Sequence, residues 1–229
     1  MTAPRLIVFD CDGTLVDSQH IIVEAMGRAF DAHGLPRLPR ERVLSIVGLS
    51  LPIAVHRLLP DAHQREVEAV SEAYKAAFGD LRRLPDHQEP LYPGTLDVLN
   101  ELSARDDTLL GIATGKSRRG VDALLTRFDL HGRFITIQTA DDNPSKPHPE
   151  MIRRAMRESG AAASKTIMVG DTTYDMEMAR AAGVGAIGVS WGYHQTDELH
   201  HSGAHTIVRG YEALPAALER VMVMLETET

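Results

Sequence analysis

Phe9-Asp10-Cys11-Asp12-Gly13-Thr14-Leu15-Val16-Asp17-Ser18 decides how the rest of the chain is read. It continues the apolar run Leu6-Ile7-Val8-Phe9, so two carboxylates two residues apart emerge where a first strand ends and a glycine turn begins. In an open α/β sheet, ligands bind outside the carboxyl ends of the strands. Clustered carboxylates repel one another unless a cation lies between them, which implies a divalent metal, and an all-oxygen ligand set points to Mg²⁺. The bland reading of the same residues is an ordinary Asp-Gly turn. Cys11, between the two aspartates, points away from them into the sheet packing and takes no part in chemistry.

Outward from this stretch, short β-rich runs over residues 5–9, 109–113, 133–138, 166–170, 185–189 and 205–208 alternate with longer amphipathic segments. The runs lack period-two polarity, as strands buried on both sheet faces do. Helical spacing of apolar residues covers 95–104, 118–128, 149–159, 174–182 and 211–226, and Leu214, Leu218, Val221 and Leu225 form the clearest stripe. From Ser18 to Gln88 there is no convincing strand, only helical stretches over 19–32, 40–47, 51–59 and 61–78. Turn residues bracket that interval: Asp17-Ser18 on one side, Pro85, Pro90, Pro93 and Gly94 on the other. The expectation is an α/β protein in which residues 1–17 and 89–229 form a Rossmann-like parallel-sheet core and residues 18–88 an inserted all-helical domain.

The composition narrows the function. A chain of 229 residues with 43% hydrophobic side chains fills a real core, against a usual domain size of about 100 to 200 residues. Its net charge of −8 argues against nucleic acid or an anionic lipid surface as a partner. One cysteine forms no internal disulfide, the N-terminal apolar run is cut short by Asp10 and Asp12, and no stretch approaches the roughly 18 apolar residues of a membrane span. A soluble, cytoplasmic protein is expected, as a monomer or a homodimer.

Three further strand ends carry chemistry-bearing residues. Asp171-Thr172-Thr173-Tyr174-Asp175 follows Gly170 and places two carboxylates one helical turn apart, on one side. Helix capping is its plain alternative. Because this pair and the Asp10/Asp12 pair lie at two strand ends of one sheet, they can converge on a single ion. Ile112-Ala113-Thr114-Gly115-Lys116 offers a hydroxyl and glycine-freed N–H groups suited to phosphate oxygens, or simply a threonine N-cap. Ser145-Lys146-Pro147-His148-Pro149-Glu150 holds a lysine next to prolines that fix its backbone; facing carboxylates, it would neutralise a substrate phosphate, and otherwise it is a solvated loop lysine.

With these four motifs in order over nearly the whole chain, the sequence resembles a haloacid-dehalogenase-superfamily phosphatase with a helical cap of the C1 type, and the phosphoglycolate-phosphatase-like members in particular. The resemblance implies roles. Asp10 would be the nucleophile on phosphorus, and Asp12 the acid for the leaving alcohol and then the base for water. Thr114, Gly115 and Lys146 would bind phosphoryl oxygens. Asp10, the backbone carbonyl of Asp12, and Asp171 would bind Mg²⁺, with Asp175 behind the metal or orienting Lys146. The presence of Asp12 argues against halide displacement and phosphonate cleavage, and Lys75, the lysine of the inserted region, has no partner that suits a Schiff base. A sugar-phosphate mutase would keep every motif but needs an acid/base in the cap; His20 has the wrong spacing and is expected on the surface or at the hinge. The motifs are also compatible with a pyrophosphatase or a nucleotidase. A non-catalytic phospholigand scaffold would be expected to lack one of Asp10, Asp12, Lys146 or Asp171, and all four are present.

Looser similarity extends to Ser45-Ile46-Val47-Gly48-Leu49-Ser50-Leu51-Pro52, where Gly48 and Ser50 are candidates for contacting substrate, or form a helix–turn–helix break. Leu91-Tyr92-Pro93-Gly94-Thr95 and Val189-Ser190-Trp191-Gly192-Tyr193 are similar in the same looser way. Arg82 and Arg83 suit a substrate carboxylate or are surface arginines. Of the eleven histidines, His194, His200, His201 and His205 cluster near the last strand; their spacing is not that of a zinc hydrolase, and they are expected to be solvated loop residues. The expected activity is Mg²⁺-dependent hydrolysis of a small phosphorylated metabolite, with phosphoglycolate first among the candidates.

Overall fold

The computed structural model describes residues 4–84, 86 and 88–227. Strands β1 (Arg5–Phe9), β2 (Thr108–Thr114), β3 (Thr136–Thr139), β4 (Thr166–Gly170), β5 (Gly185–Val189) and β6 (Thr206–Val208) form one parallel sheet in the order β3-β2-β1-β4-β5-β6. Every residue of β4 and β5 is buried, which is why neither shows alternating polarity. The pleat sorts the side chains of β1: Ile7 and Phe9 join α5 (Thr95–Ser103), α6 (Arg118–Arg127) and α10 (Leu214–Thr227) on one face. Leu6 and Val8 join α7 (Glu150–Ser159), α8 (Thr173–Ala182) and α9 (Thr196–His201) on the other. The strand order reverses between β1 and β4, so the residues that follow these two strands meet at the switch point where such sheets bind ligands.

Among the described residues, four α-helices intervene between β1 and α5: α1 (Gln19–Ala32), α2 (Arg40–Leu44), α3 (Leu51–Leu58) and α4 (Gln64–Leu81). They enclose a core of their own, with Met26, Phe30, Val43, Val55, Val67 and Val70 among its members. The chain leaves the sheet and returns to it side by side. Asp17 N–H donates to Pro90 O (2.8 Å) and Tyr92 N–H to Leu15 O (3.0 Å), an antiparallel crossing with Val16 bridged to Leu91.

Several boundaries differ from the sequence expectation for identifiable reasons. β3 starts at Thr136, three residues late, because it pairs with β2 only from Gly111↔Thr136 onward; Ile135 before it is exposed. The second helix stops at Leu44, and the chain then turns to bring Gly48 to φ +99°. α4 begins at Gln64 and runs on to Leu81, whose side chain is fully buried against Ile21 and Ala25. The last helix starts at Leu214 after a 3₁₀ turn over Tyr211–Ala213. α9 was not foreseen. A capping box between Gln195 and Glu198 starts it and buried Leu199 anchors it, so His200 and His201 are exposed helical residues, not loop ones.

His194 and His205 are half-buried rather than solvated. Each ring accepts a backbone N–H on Nδ1, His194 from Thr173 and His205 from Ala186, both at 3.1 Å. His194 also packs edge-on to Tyr174, and burial holds it below the usual histidine range.

Candidate active site

Asp10 leaves the end of β1 with its N–H still in the sheet, donating to Val169 O at 3.0 Å. Its Oδ1 accepts the Cys11 N–H at 2.6 Å. Oδ2 lies 2.9 Å from Lys146 Nζ but accepts no well-directed hydrogen bond. Burial pushes this carboxyl up to about 6, with Lys146 offsetting part of the rise and Asp175 adding to it.

Asp171, just beyond β4, is fully buried and accepts from Thr14 Oγ1 (2.8 Å) and Tyr193 N–H (2.9 Å). Burial, then the charges of Asp10 and Asp175, hold it well above the ordinary carboxylate range. The turn that brings these groups together depends on Gly13: at φ +85°, a Cβ there would stand 2.2 Å from Asp171 Oδ2. Asp175 combines capping and charge. Its Oδ2 accepts the Thr172 N–H (3.1 Å) and hydroxyl (2.7 Å) in a capping box, and its Oδ1 accepts from Lys146 Nζ at 2.7 Å. The capping reading of this spacing is met by Asp175, and the same carboxylate also pairs with Lys146. Lys146 is buried, which would favour its neutral form, but Asp10 and Asp175 outweigh burial and keep it an ammonium.

Asp10, Asp171 and Asp175 each offer an oxygen within 4.8 Å of the others. Three buried carboxylates so close, two of them displaced upward and one with an oxygen lacking a hydrogen bond, fit a hard divalent cation. Asp12 does not turn its side chain into that cluster. Its Oδ1 accepts from Ser18 Oγ (2.6 Å) and Lys116 Nζ (2.8 Å), while its carboxylate lines an adjoining cavity. Cys11 is buried in the sheet packing, as expected. Thr114, at the end of β2, is 1% exposed and stands beside Asp10. Gly115 faces the inserted helices so closely that a Cβ on it would lie 2.6 Å from Gly48 O and 2.7 Å from Leu49 O. Gly48 and Ser50 are therefore at the site: both line the cavity, and Ser50 N–H donates to Ser145 Oγ at 2.8 Å.

Lys116, to which the sequence pattern assigns no role, is the second buried cation of the site. It bridges Asp12 and Glu89 (2.7 Å), and Glu89, itself 3% exposed, also pairs with Arg82 at 3.1 Å. Burial opposes charge on Lys116, but Asp12 and Glu89 prevail and hold it protonated. Its place two residues after Thr114 was the available signal; Glu89, in the returning linker, gave none. Arg83 is exposed and pairs with Asp80, and Lys75 pairs with Glu72, although both reach the cavity edge. His20 is exposed and does not line the cavity.

A family model described as haloacid dehalogenase-like hydrolase matches residues 7–189. The chain belongs to this family. Among curated members, it is 37% identical over 221 residues to "Probable phosphatase IndB" of Dickeya dadantii (strain 3937), covering 95% of this chain and 94% of that one. It is 30% identical to a phosphoglycolate phosphatase of Pseudomonas putida, over 93% of this chain and 79% of that one. The solved structure of a hydrolase from Pseudomonas syringae superposes with a TM-score of 0.83 at 27% identity, over 94% of this chain and 98% of that one. The six-stranded parallel sheet and its helical layers are this family's fold. Among the described residues, no helix of this haloacid dehalogenase-like hydrolase is long and apolar enough to cross a membrane.

Proposed function

We propose that the chain is an Mg²⁺-dependent phosphomonoester hydrolase that acts on a small phosphorylated metabolite through an aspartyl phosphate on Asp10. The observation that carries this reading is Asp10 Oδ2: a buried carboxylate oxygen without a directed hydrogen bond, beside the Lys146 ammonium and next to the cavity that Asp12 also lines. The phosphatase names of its relatives support the reaction class. Asp10, Asp171 and the backbone carbonyl of Asp12 would hold the Mg²⁺, with Asp175 behind it. When bound, the ion would neutralise the clustered carboxylates and stabilise negative charge on the phosphoryl oxygens.

Asp10 Oδ2 attacks phosphorus, the bond to the leaving oxygen breaks, and Asp12 passes its proton to that oxygen. Oδ2 of Asp12 is the oxygen for this transfer, since Ser18 and Lys116 both engage Oδ1. Water, giving its proton to Asp12, then attacks the phosphoryl group; the bond to Asp10 breaks and phosphate leaves. Thr114, the N–H groups around Gly115, and Lys146 hold the phosphoryl oxygens throughout.

In this reading, residues 18–88 are a cap, and residues 1–17 and 89–229 the catalytic core. Gly48 and Ser50 bring the cap over the phosphoryl pocket. The protein works in the cytoplasm on a small molecule rather than on nucleic acid or a membrane, in keeping with its net charge of −8. Phosphoglycolate is the reference substrate, because relatives over most of this chain carry that name. Phosphate release from phosphoglycolate and a panel of other esters, with Mg²⁺ present or chelated, tests the proposal. Metal-dependent release that disappears in Asp10→Asn is expected; release that survives the substitution, or a folded protein inactive on the whole panel, overturns it.

A further inference from the structure

The cavity beside Asp10 and Asp12 is larger, and differently lined, than a two-carbon acid requires. Its volume is about 640 Å³, within the range of pockets that enclose drug-sized ligands, roughly 300 to 1,000 Å³. Its apolar wall comes from the inserted helices and includes Ile22, Met26, Leu49, Leu51, Tyr74 and Phe78. The Tyr74 and Phe78 rings lie 5.8 Å apart, and the Lys116 ammonium that holds Asp12 stands 5.2 Å over the Phe78 ring. The aromatic wall therefore begins next to the group that serves the leaving oxygen. A small, fully charged acid would leave most of this wall against water, whereas a flat or apolar leaving group would cover it.

The same cavity gathers cations. In a chain of net charge −8, this one cavity is lined by Lys75, Arg82, Arg83, Lys116 and Arg119. Arg82 and Lys116 share Glu89, and Lys75 and Arg83 each pair with an acid on their own helix or its end. Arg119, exposed at the rim on the first turn of α6, has neither an ion pair nor a side-chain hydrogen bond among the described residues. Its guanidinium is left to meet an anion from solution, and the phosphoryl group itself is served by the buried Lys146 beside Asp10.

We propose that the substrate is a phosphate monoester whose leaving alcohol has a flat or apolar body, larger than a two-carbon acid, and ends in a second anionic group that meets Arg119. This rests on the phosphatase reading and narrows its substrate. The test compares kcat/KM for phosphoglycolate, benzyl phosphate and 4-carboxybenzyl phosphate, the last two being matched but for the distal carboxylate. Both benzyl esters are expected to exceed phosphoglycolate, and the carboxylate to add about tenfold, the size of one charge-assisted contact at an open rim. In Arg119→Met, the ratio between the two benzyl esters is expected to fall to about one. Phosphoglycolate preferred over both esters, or a wild-type benzyl ratio of one, overturns the substrate proposal while leaving the phosphatase intact. An unchanged ratio in Arg119→Met overturns the assignment of the anion to that residue. Failure to hydrolyse any ester, phosphoglycolate included, overturns the phosphatase reading and the substrate proposal with it.

Discussion

Asp171→Asn should stabilise the metal-free protein and abolish its response to Mg²⁺. Asp171 lies with Asp10 and Asp175 in a cluster to which each offers one oxygen, the three within 4.8 Å of one another. Two full charges at such a distance repel by about 3.5 kcal/mol at an effective dielectric constant of about 20. Lys146 touches Asp10 and Asp175 but is not paired with Asp171, so the relief from neutralising Asp171 is on the order of 2 kcal/mol. The amide keeps the existing contacts: its oxygen takes the Tyr193 N–H, and its NH₂ donates to Thr14 Oγ1, a hydroxyl that can accept as well as donate. At about 2–4 °C per kcal/mol for a chain of this size, melting in chelator at pH 7.5 should rise by about 4–8 °C. The pH dependence fixes the cause. A carboxyl whose folded pKa is raised stabilises the fold below its unfolded value of about 4, and that stability is lost as pH rises toward the folded value. Both Asp171 and Asp10 are raised in this way, Asp10 to about 6. The variant should therefore match wild type near pH 4 and gain on it as pH increases. Saturating Mg²⁺ should raise wild-type melting, by about 2.7 kcal/mol of stability at a hundred times Kd, and leave the variant unmoved. A variant that melts below wild type in chelator at every pH, or that responds to Mg²⁺ as wild type does, would show that Asp171 neither repels its neighbours nor binds the ion.

Other parts of the site make separate predictions. Lys116→Met leaves Asp12 and Glu89 without their shared cation and should cost about 3 kcal/mol or more in chemical denaturation, with Glu89→Gln in the double variant recovering part of the loss. Gly115→Ala would press a methyl group against the carbonyls of Gly48 and Leu49, so kcat/KM should fall by roughly tenfold or more while the melting temperature stays within about 3 °C of wild type. Tyr174→Phe removes the hydroxyl that donates to Ser45 O (2.9 Å) and accepts from Arg57 (2.5 Å). It should cost about 1 kcal/mol and speed amide exchange over residues 45–50, measured by mass spectrometry.

The parts of this molecule that could be read from its sequence are those governed by short-range pattern. Buried parallel strands show as unbroken apolar runs, and the ends of β1, β4 and β5 fell where those runs stop. Asp10 and Asp171 could be read because each follows a strand directly, so strand assignment alone brings the two together at the switch point. What depends on tertiary packing could not be read. α9 is six residues long, with Leu199 its buried residue, too little periodicity to distinguish it from a loop. His194 and His205 look like solvated polar residues until the fold brings a backbone N–H to each Nδ1. Lys116 was visible in its motif, but its partner Glu89 is 27 residues away in a linker, and no local rule pairs the two.

In the proposed mechanism, the placement of Asp12 separates what sets the reaction from what sets the substrate. Both crossings between sheet and inserted helices end on this residue: Ser18, where the chain enters α1, donates to its Oδ1, and Glu89, where the chain returns, holds the Lys116 that pairs with the same oxygen. Asp10, the proposed nucleophile, is by contrast held by the sheet's own loops, through Cys11 N–H and Lys146. In the proposed mechanism, phosphorus chemistry thus rests on the sheet, while Asp12, the proposed acid for the leaving oxygen, is shared with the elements that carry the inserted helices. Those helices also contribute the Tyr74 and Phe78 wall beside it. A change of leaving group can then be met by substitutions on α1 and α4 that leave Asp10, Asp171, Asp175 and Lys146 untouched, which is the physical reason a shared reaction on this fold does not name its substrate.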